Sequence, residues 1–228
     1  MTHTRLAVTI LPASVIRTST GPIEKTQRAV NGWNQRAVAA LLLLTPTMSI
    51  AQTRVGMVPV RIETSVGVVT ADLDSAHAPL TVRNFLRYVD SLAYDGGAFH
   101  RAVTMSNQPR DTVRIEVIQG GANRARGGAR FPAIEHEPTQ RTGLRHVDGA
   151  LSMARAGPNT ATSDFFVSIG DQPCLDFGGH RNLDGHGFAV FGHVTGGMDI
   201  VRAIQRSPVE AQTLTPPITI VRIQRVVR

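Results

Sequence analysis

Cysteine is almost missing from this chain. Cys174 stands alone among 228 residues, which rules out an intramolecular disulfide and any zinc site built on cysteines. Lysine is equally scarce. Lys25 is its one occurrence, so the formal charge of +7 is carried by arginine. Residues 1–51 hold five basic groups (Arg5, Arg17, Lys25, Arg28, Arg36) and one acidic group, Glu24; the remainder balances 19 against 16, a net of +3. That mildly basic domain lacks the clustered charge of a nucleic-acid footprint, and no nucleic-acid partner is expected. Aromatic residues make up only 5%, so the core must lean on Val, Ile, Leu and Ala. No apolar run reaches the roughly 20 residues that cross a bilayer as a helix, and stable membrane insertion is not expected. A hydrophobic content of 42% argues against disorder, and 228 residues suffice for one well-buried domain.

Several chemical motifs are missing as well. Gly120-Gly121-Ala-Asn-Arg-Ala-Arg-Gly127-Gly128 lacks the Lys-Ser/Thr of a phosphate loop and the spacing of a dinucleotide fingerprint. His180 and His186 flank a loop without a third or fourth ligand at zinc spacing, so no metal site is expected. Ser152 sits in no Gly-x-Ser-x-Gly elbow, which removes the hydrolase reading.

What is present begins with a leader. Arg36 is a positive flank, Ala37–Leu44 an apolar run, Pro46 a breaker, and Ser49-Ile50-Ala51 supplies small residues where a signal peptidase reads. We expect a signal peptide over about 36–51, cleavage near Ala51, and a periplasmic or secreted protein. A buried helix is the rival reading, but neither an amphipathic face nor a cap surrounds the segment. Residues 1–35 show no periodicity. Either the start lies further along, for instance at Val30, or the lead-in is simply long. The expected division is a leader over 1–51 and a folded domain over 58–228.

From Val58 onward the apolar pattern has mostly period two, as half-buried strands require. Val60-Arg61-Ile62-Glu63-Thr64 alternates, Ser65-Val66-Gly67 turns, and Val68–Leu73 returns. Ala78-Pro79 opens a helix whose Val82, Phe85, Leu86 and Val89 form one face. Met198, Val201 and Ile204 predict a second helix after Gly196-Gly197, and residues 218–226 a closing strand. Met105–Arg114 and Phe177–Gly187 read as long loops. Many short strands with two helices predict a mainly β fold, an antiparallel barrel or sandwich.

The most informative stretch is Leu151-Ser-Met-Ala-Arg-Ala-Gly-Pro-Asn-Thr-Ala-Thr-Ser-Asp-Phe-Phe166. By itself it reads as strand, Gly-Pro-Asn turn, strand. As a string it resembles the LSMANAGPNT…S-Q-F-F signature of cyclophilins, the peptidyl-prolyl cis/trans isomerases. Phe99-His100-Arg101, Ile118-Gln119-Gly120-Gly121, Phe191-Gly192-His193-Val194 and Gly196–Val201 resemble further family segments in the same order. The resemblance covers roughly residues 58 to 228 and implies a closed eight-stranded antiparallel barrel capped by two helices. The loop from Phe177 to Gly187 is similar to that of a bacterial, exported branch.

That resemblance implies an activity without nucleophile, metal or cofactor: rotation about X-Pro bonds in proline-containing segments of unfolded or exported proteins, by a monomer. Arg101 falls at the family's catalytic arginine. His100 falls beside it as pocket support, and Gln119 at the glutamine that binds substrate backbone and orients the arginine. Ala154 and Arg155 fall where main chain pairs with the bound peptide. Phe166 is the expected floor of the proline pocket, with Val117, Leu175 and Phe188 lining it. Read without the family, Gln119 is equally a turn residue and Phe166 equally core packing. The chain departs from the family at Glu116 (an aromatic), Val117 (Met), Cys174 (Trp), Phe188 (His) and Asp164 (Gln). A binding module that grips proline segments without useful turnover is the alternative, favoured by the lost aromatic at Glu116.

Overall fold

The computed structural model describes residues 55–128 and 130–226; the expected leader lies outside them. The alternation after Val58 becomes β1 (Met57–Thr64), which buries Val60 and Ile62 while Arg61 and Glu63 face outward. It turns into β2 (Gly67–Asp74) in register Thr64 to Gly67. The Thr64 hydroxyl closes that turn by donating to the Gly67 carbonyl at 2.7 Å.

Helix α1 (Pro79–Asp90) buries Val82, Phe85, Leu86, Tyr88 and Val89. Its first turn receives no side-chain cap from Ala78. The fully buried Glu137 caps it instead, accepting from the amides of Leu80 (3.2 Å) and Thr81 (2.8 Å) and from the Thr81 hydroxyl (2.7 Å). A carboxylate there satisfies orphan N–H groups and suits the positive end of the helix.

The remaining strands are β3 (Gly97–Val103), β4 (Val117–Gly121), β5 (Ala150–Met153), β6 (Phe165–Ser168), β7 (Ala189–Gly196), β8 (Val209–Glu210) and β9 (Thr213–Arg225). They pair in the order β1-β2-β7-β5-β6-β4-β3-β9, and β9 pairs back to β1 through Val60–Arg225 to Thr64–Ile220. This is a closed eight-stranded antiparallel barrel. Two short pieces go beyond the sequence expectation: β8, two residues beside β9, and α2 (Thr139–Thr142), a single turn. Neither is long enough to show a period. Helix α3 (Met198–Gln205) follows Gly197, whose φ of +85° and contact with the Val68 carbonyl leave no room for a side chain. Helix α1 lies against β2, β7 and β9, and α3 against β2, β3 and β4.

Inside the barrel Phe85, Tyr94, Phe99, Phe165 and Phe191 form one aromatic cluster with centroids 5.1–5.7 Å apart. A second, separate apolar cluster consists of Val103, Ile115, Val117, Phe166 and Leu175. Strand alternation produces it. Ala102, Ile118 and Phe165 point to the core, so their neighbours Val103, Val117 and Phe166 point to the opposite face.

Candidate active site

Four neighbouring strands place Arg101, Gln119, Phe166 and Ser152 on one rung. Arg101 pairs with Gln119, Gln119 with Phe166, and Phe166 with Ser152. Simple alternation would have sent Arg101 into the core with Phe99. A bulge prevents this: Phe99 faces Gly120 and Arg101 faces Gln119, so His100 is one extra residue on β3. Phe99 and Ala102 are therefore both in the core, while His100 and Arg101 both stay half-buried outside it.

The Arg101 guanidinium is held from two sides. Its Nη1 donates to Gln119 Oε1 at 3.1 Å, and its Nε and Nη2 donate to Gln212 Oε1 at 2.9 and 2.5 Å. Burial lowers its pKa from the ordinary arginine value, with Arg181 adding to the shift and Asp111 opposing it; it remains charged at neutral pH. His100 is half-buried beside Arg101, its Nε2 lying 3.7 Å from the Asp164 carboxylate.

Beside the arginine, Phe166 forms the base of the second cluster, and Leu175 comes from a short 3-10 turn, Pro173–Leu175. Phe188 is anchored by its amide to the Leu175 carbonyl (2.9 Å) and packs edge-on to Phe166 at 5.2 Å. Val117 is buried in the cluster, and Ala154 and Cys174 pack against it. Glu116, at the position of the family's aromatic, has Oε1 3.4 Å from Gln205 Nε2 on α3. Val103 and Ile115, which sequence reasoning passed over, supply apolar surface to the cluster.

Main-chain pairing at Ala154 is narrower than the sequence implies. Its amide donates to the Asp164 carbonyl at 2.9 Å and is closed to a peptide. The Arg155 side chain does more than the sequence indicates. It binds Asp184 through both terminal nitrogens (2.7 and 2.9 Å), reaches the Gly187 carbonyl, and lies 5.2 Å over the Phe188 ring. The two long loops are joined by Arg181, which binds Asp111 (3.0 Å) and the Val113 carbonyl (2.6 Å). Grooves of about 810 and 400 Å³ run past the site. Arg101 lines the first, Gln119 the second, and Arg124 and Asp164 both.

Residues 59–225 match the family described as "Cyclophilin type peptidyl-prolyl cis-trans isomerase/CLD". The chain belongs to the cyclophilin-type peptidyl-prolyl cis-trans isomerases. Among its relatives, peptidyl-prolyl cis-trans isomerase-like 1 of Neurospora crassa is 36% identical, covering 74% of this chain and 94% of its own. Peptidyl-prolyl cis-trans isomerase A of Dickeya dadantii is 34% identical, covering 69% and 75%. A fungus and a bacterium thus stand about equally near, and the family holds without the narrower bacterial branch. The crystal structure of a Cryptosporidium parvum cyclophilin-type isomerase in the presence of the dipeptide Ala-Pro matches with a TM-score of 0.60 and 24% identity. It covers 75% of this chain and 99% of that one. That likeness carries the fold.

Beneath the second apolar cluster of this cyclophilin lies a buried polar layer that sequence reasoning missed. The His146 ring stacks on Phe166 at 5.8 Å and 9°. Its Nδ1 is 2.8 Å from Asp176 Oδ1 and its Nε2 is 3.0 Å from Ser152 Oγ. Burial lowers the His146 pKa against the pull of Asp176. Burial alone would raise Asp176, but hydrogen bonds from the His146 ring and amide, with the charge of Arg145, hold it below its ordinary value. The neutral ring then donates from Nδ1 and accepts from Ser152. These are the residue types of a hydrolytic triad, yet Ser152 is 0% exposed and no substrate reaches it. The layer supports Phe166 from below.

Proposed function

We propose that this cyclophilin turns X-Pro bonds in other exported proteins, with Arg101 stabilising the twisted amide and the apolar cluster over Phe166 taking the proline ring. The planar amide resists rotation by about 18–20 kcal/mol because its C–N bond has double-bond character. On twisting, the nitrogen regains a lone pair. A guanidinium aimed there interacts more strongly with the transition state than with the planar ground state. The observation that carries this reading is the rung on which Arg101, Gln119 and Phe166 adjoin, charge and dry surface side by side. The Cryptosporidium relative was crystallised in the presence of Ala-Pro, which is consistent with proline segments as substrate. Export rests on the leader: Arg36, the run Ala37–Leu44, and small residues ending at Ala51.

A protease-coupled assay on a short X-Pro peptide tests the chemistry. Arg101→Ala should lower kcat/KM by about two to three powers of ten, with much less effect on binding of a ground-state proline peptide. Unchanged turnover would move the chemistry elsewhere, to His100 first. N-terminal sequencing of protein from the periplasm or medium should give Gln52 or a neighbour. An intact Met1 form found only in the cytoplasm would remove the export claim.

A further inference from the structure

We infer that Gln212 is a positioning residue for Arg101, an inference that rests on Arg101 acting as proposed above. Gln212 occupies the two-residue turn between β8 and β9, where Glu210 pairs with Thr213. Ala211 before it takes a left-handed φ of 57°, and the Gln212 carbonyl accepts the amide of Ala102 at 2.9 Å. The turn is thus tied to the residue that follows Arg101 on β3. The side-chain Nε2 donates to the Asn107 carbonyl at 3.2 Å. That contact settles which end of the amide is the oxygen, and the oxygen faces the guanidinium.

Gln212 takes the Nε and Nη2 edge of the arginine, and Gln119 takes Nη1. A guanidinium carries five N–H groups in one plane. Acceptors on two sides stop the plane from rotating about its stem and leave the remaining N–H groups for substrate. Both acceptors are also neutral. Elsewhere this chain holds arginines with carboxylates: Arg155 with Asp184, Arg202 with Asp148, Arg225 with Asp90. A carboxylate beside Arg101 would offset the charge that a developing lone pair needs. An amide orients the arginine and leaves its field intact.

The test is a double-mutant cycle of Gln212→Ala and Arg101→Ala, with kcat, KM and Tm measured for all four proteins. Gln212→Ala should lower kcat about ten- to a hundredfold, the cost of a misplaced catalytic group, with KM and Tm close to native. In the Arg101→Ala background the same change should have no further effect. Gln212→Glu, which keeps the acceptor but adds charge, should hold the arginine and still turn over more slowly than native protein. In nitrogen NMR the Arg101 Nε–H should exchange slowly in the native protein and fast in Gln212→Ala. An equal drop in both backgrounds would make Gln212 a residue of the fold and overturn the inference. Native kcat in Gln212→Ala would overturn it too. Full activity in Arg101→Ala alone would instead overturn the site reading, and this inference with it.

Discussion

Phe165 and Phe166 are neighbours in the chain and serve opposite faces of the barrel wall. Phe165 is fully buried against Phe85, Tyr94 and Phe99, whereas Phe166 is the base of the cluster beside Arg101. Equal truncations should therefore separate stability from catalysis. Phe165→Ala should cost roughly 3–5 kcal/mol of stability, read in denaturant melts. Phe166→Ala should cost less stability and most of the activity on X-Pro peptides. Equal melting losses with unaffected turnover in Phe166→Ala would contradict the pocket.

Glu137 caps α1 from outside the helix, so its loss should unfold more than a surface contact would. Glu137→Ala leaves two amides and a buried hydroxyl without their acceptor, and should cost roughly 2 kcal/mol. Glu137→Gln, which keeps one acceptor oxygen, should recover part of that. Tm measurements on the three proteins decide it.

Acid should loosen the layer under Phe166. The folded-state pKa of His146 is depressed by burial, so the unfolded chain takes up that proton more readily. Its contribution to stability is complete above the unfolded value of about 6.5 and declines as pH falls below it. Asp176 is also depressed, and its contribution is lost at lower pH, as its folded carboxyl titrates. Both act in one direction. Tm should fall from pH 7 to pH 5, and His146→Gln should flatten that slope. A slope unchanged by the substitution would exclude His146 as its source.

The Phe188 wall depends on the Arg155–Asp184 clamp. The Arg155 guanidinium holds the Asp184 carboxyl far below its usual range, so the pair stays ionised at neutral and mildly acidic pH. Asp184→Asn should raise KM by about two- to fivefold, the scale of one weak contact, and speed hydrogen exchange over residues 178–187. Exchange identical to native would show that the loop holds itself.

Local patterns carry much of this fold. The alternation of Val60 and Ile62, the face of Val82, Phe85, Leu86 and Val89, and the Gly196-Gly197 break before Met198 are all visible in sequence, because each depends on neighbours in the chain. The family strings single out Arg101, Gln119, Phe166, Leu175 and Phe188, and the barrel gathers them at one place. What stays hidden depends on contacts between distant segments. The extra residue at His100 has no signature apart from its partner strand. Gln212 meets Arg101 only once β9 lies beside β3. Glu137 looks like any surface acid until α1 needs its oxygens. The occupied Ala154 amide is equally invisible, because its acceptor, the Asp164 carbonyl, comes from the far side of the Gly-Pro-Asn turn.

The joining of β1 to β9 has a consequence for how the barrel comes into being. Val60 finds its partner in Arg225, and Ile62 in Ile223, so the edge of β1 that β2 leaves free stays uncovered until β9 arrives. Such long-range pairing is slow, because loop closure precedes any reward from contact. A growing chain can assemble the β1–β2 hairpin and α1 early, yet the ring stays open with sticky margins until β9 arrives. β9 also borders β3, so that same late event seats the arginine's neighbour at the rim. Closure of the ring and the meeting of Gln212 with Arg101 arrive together.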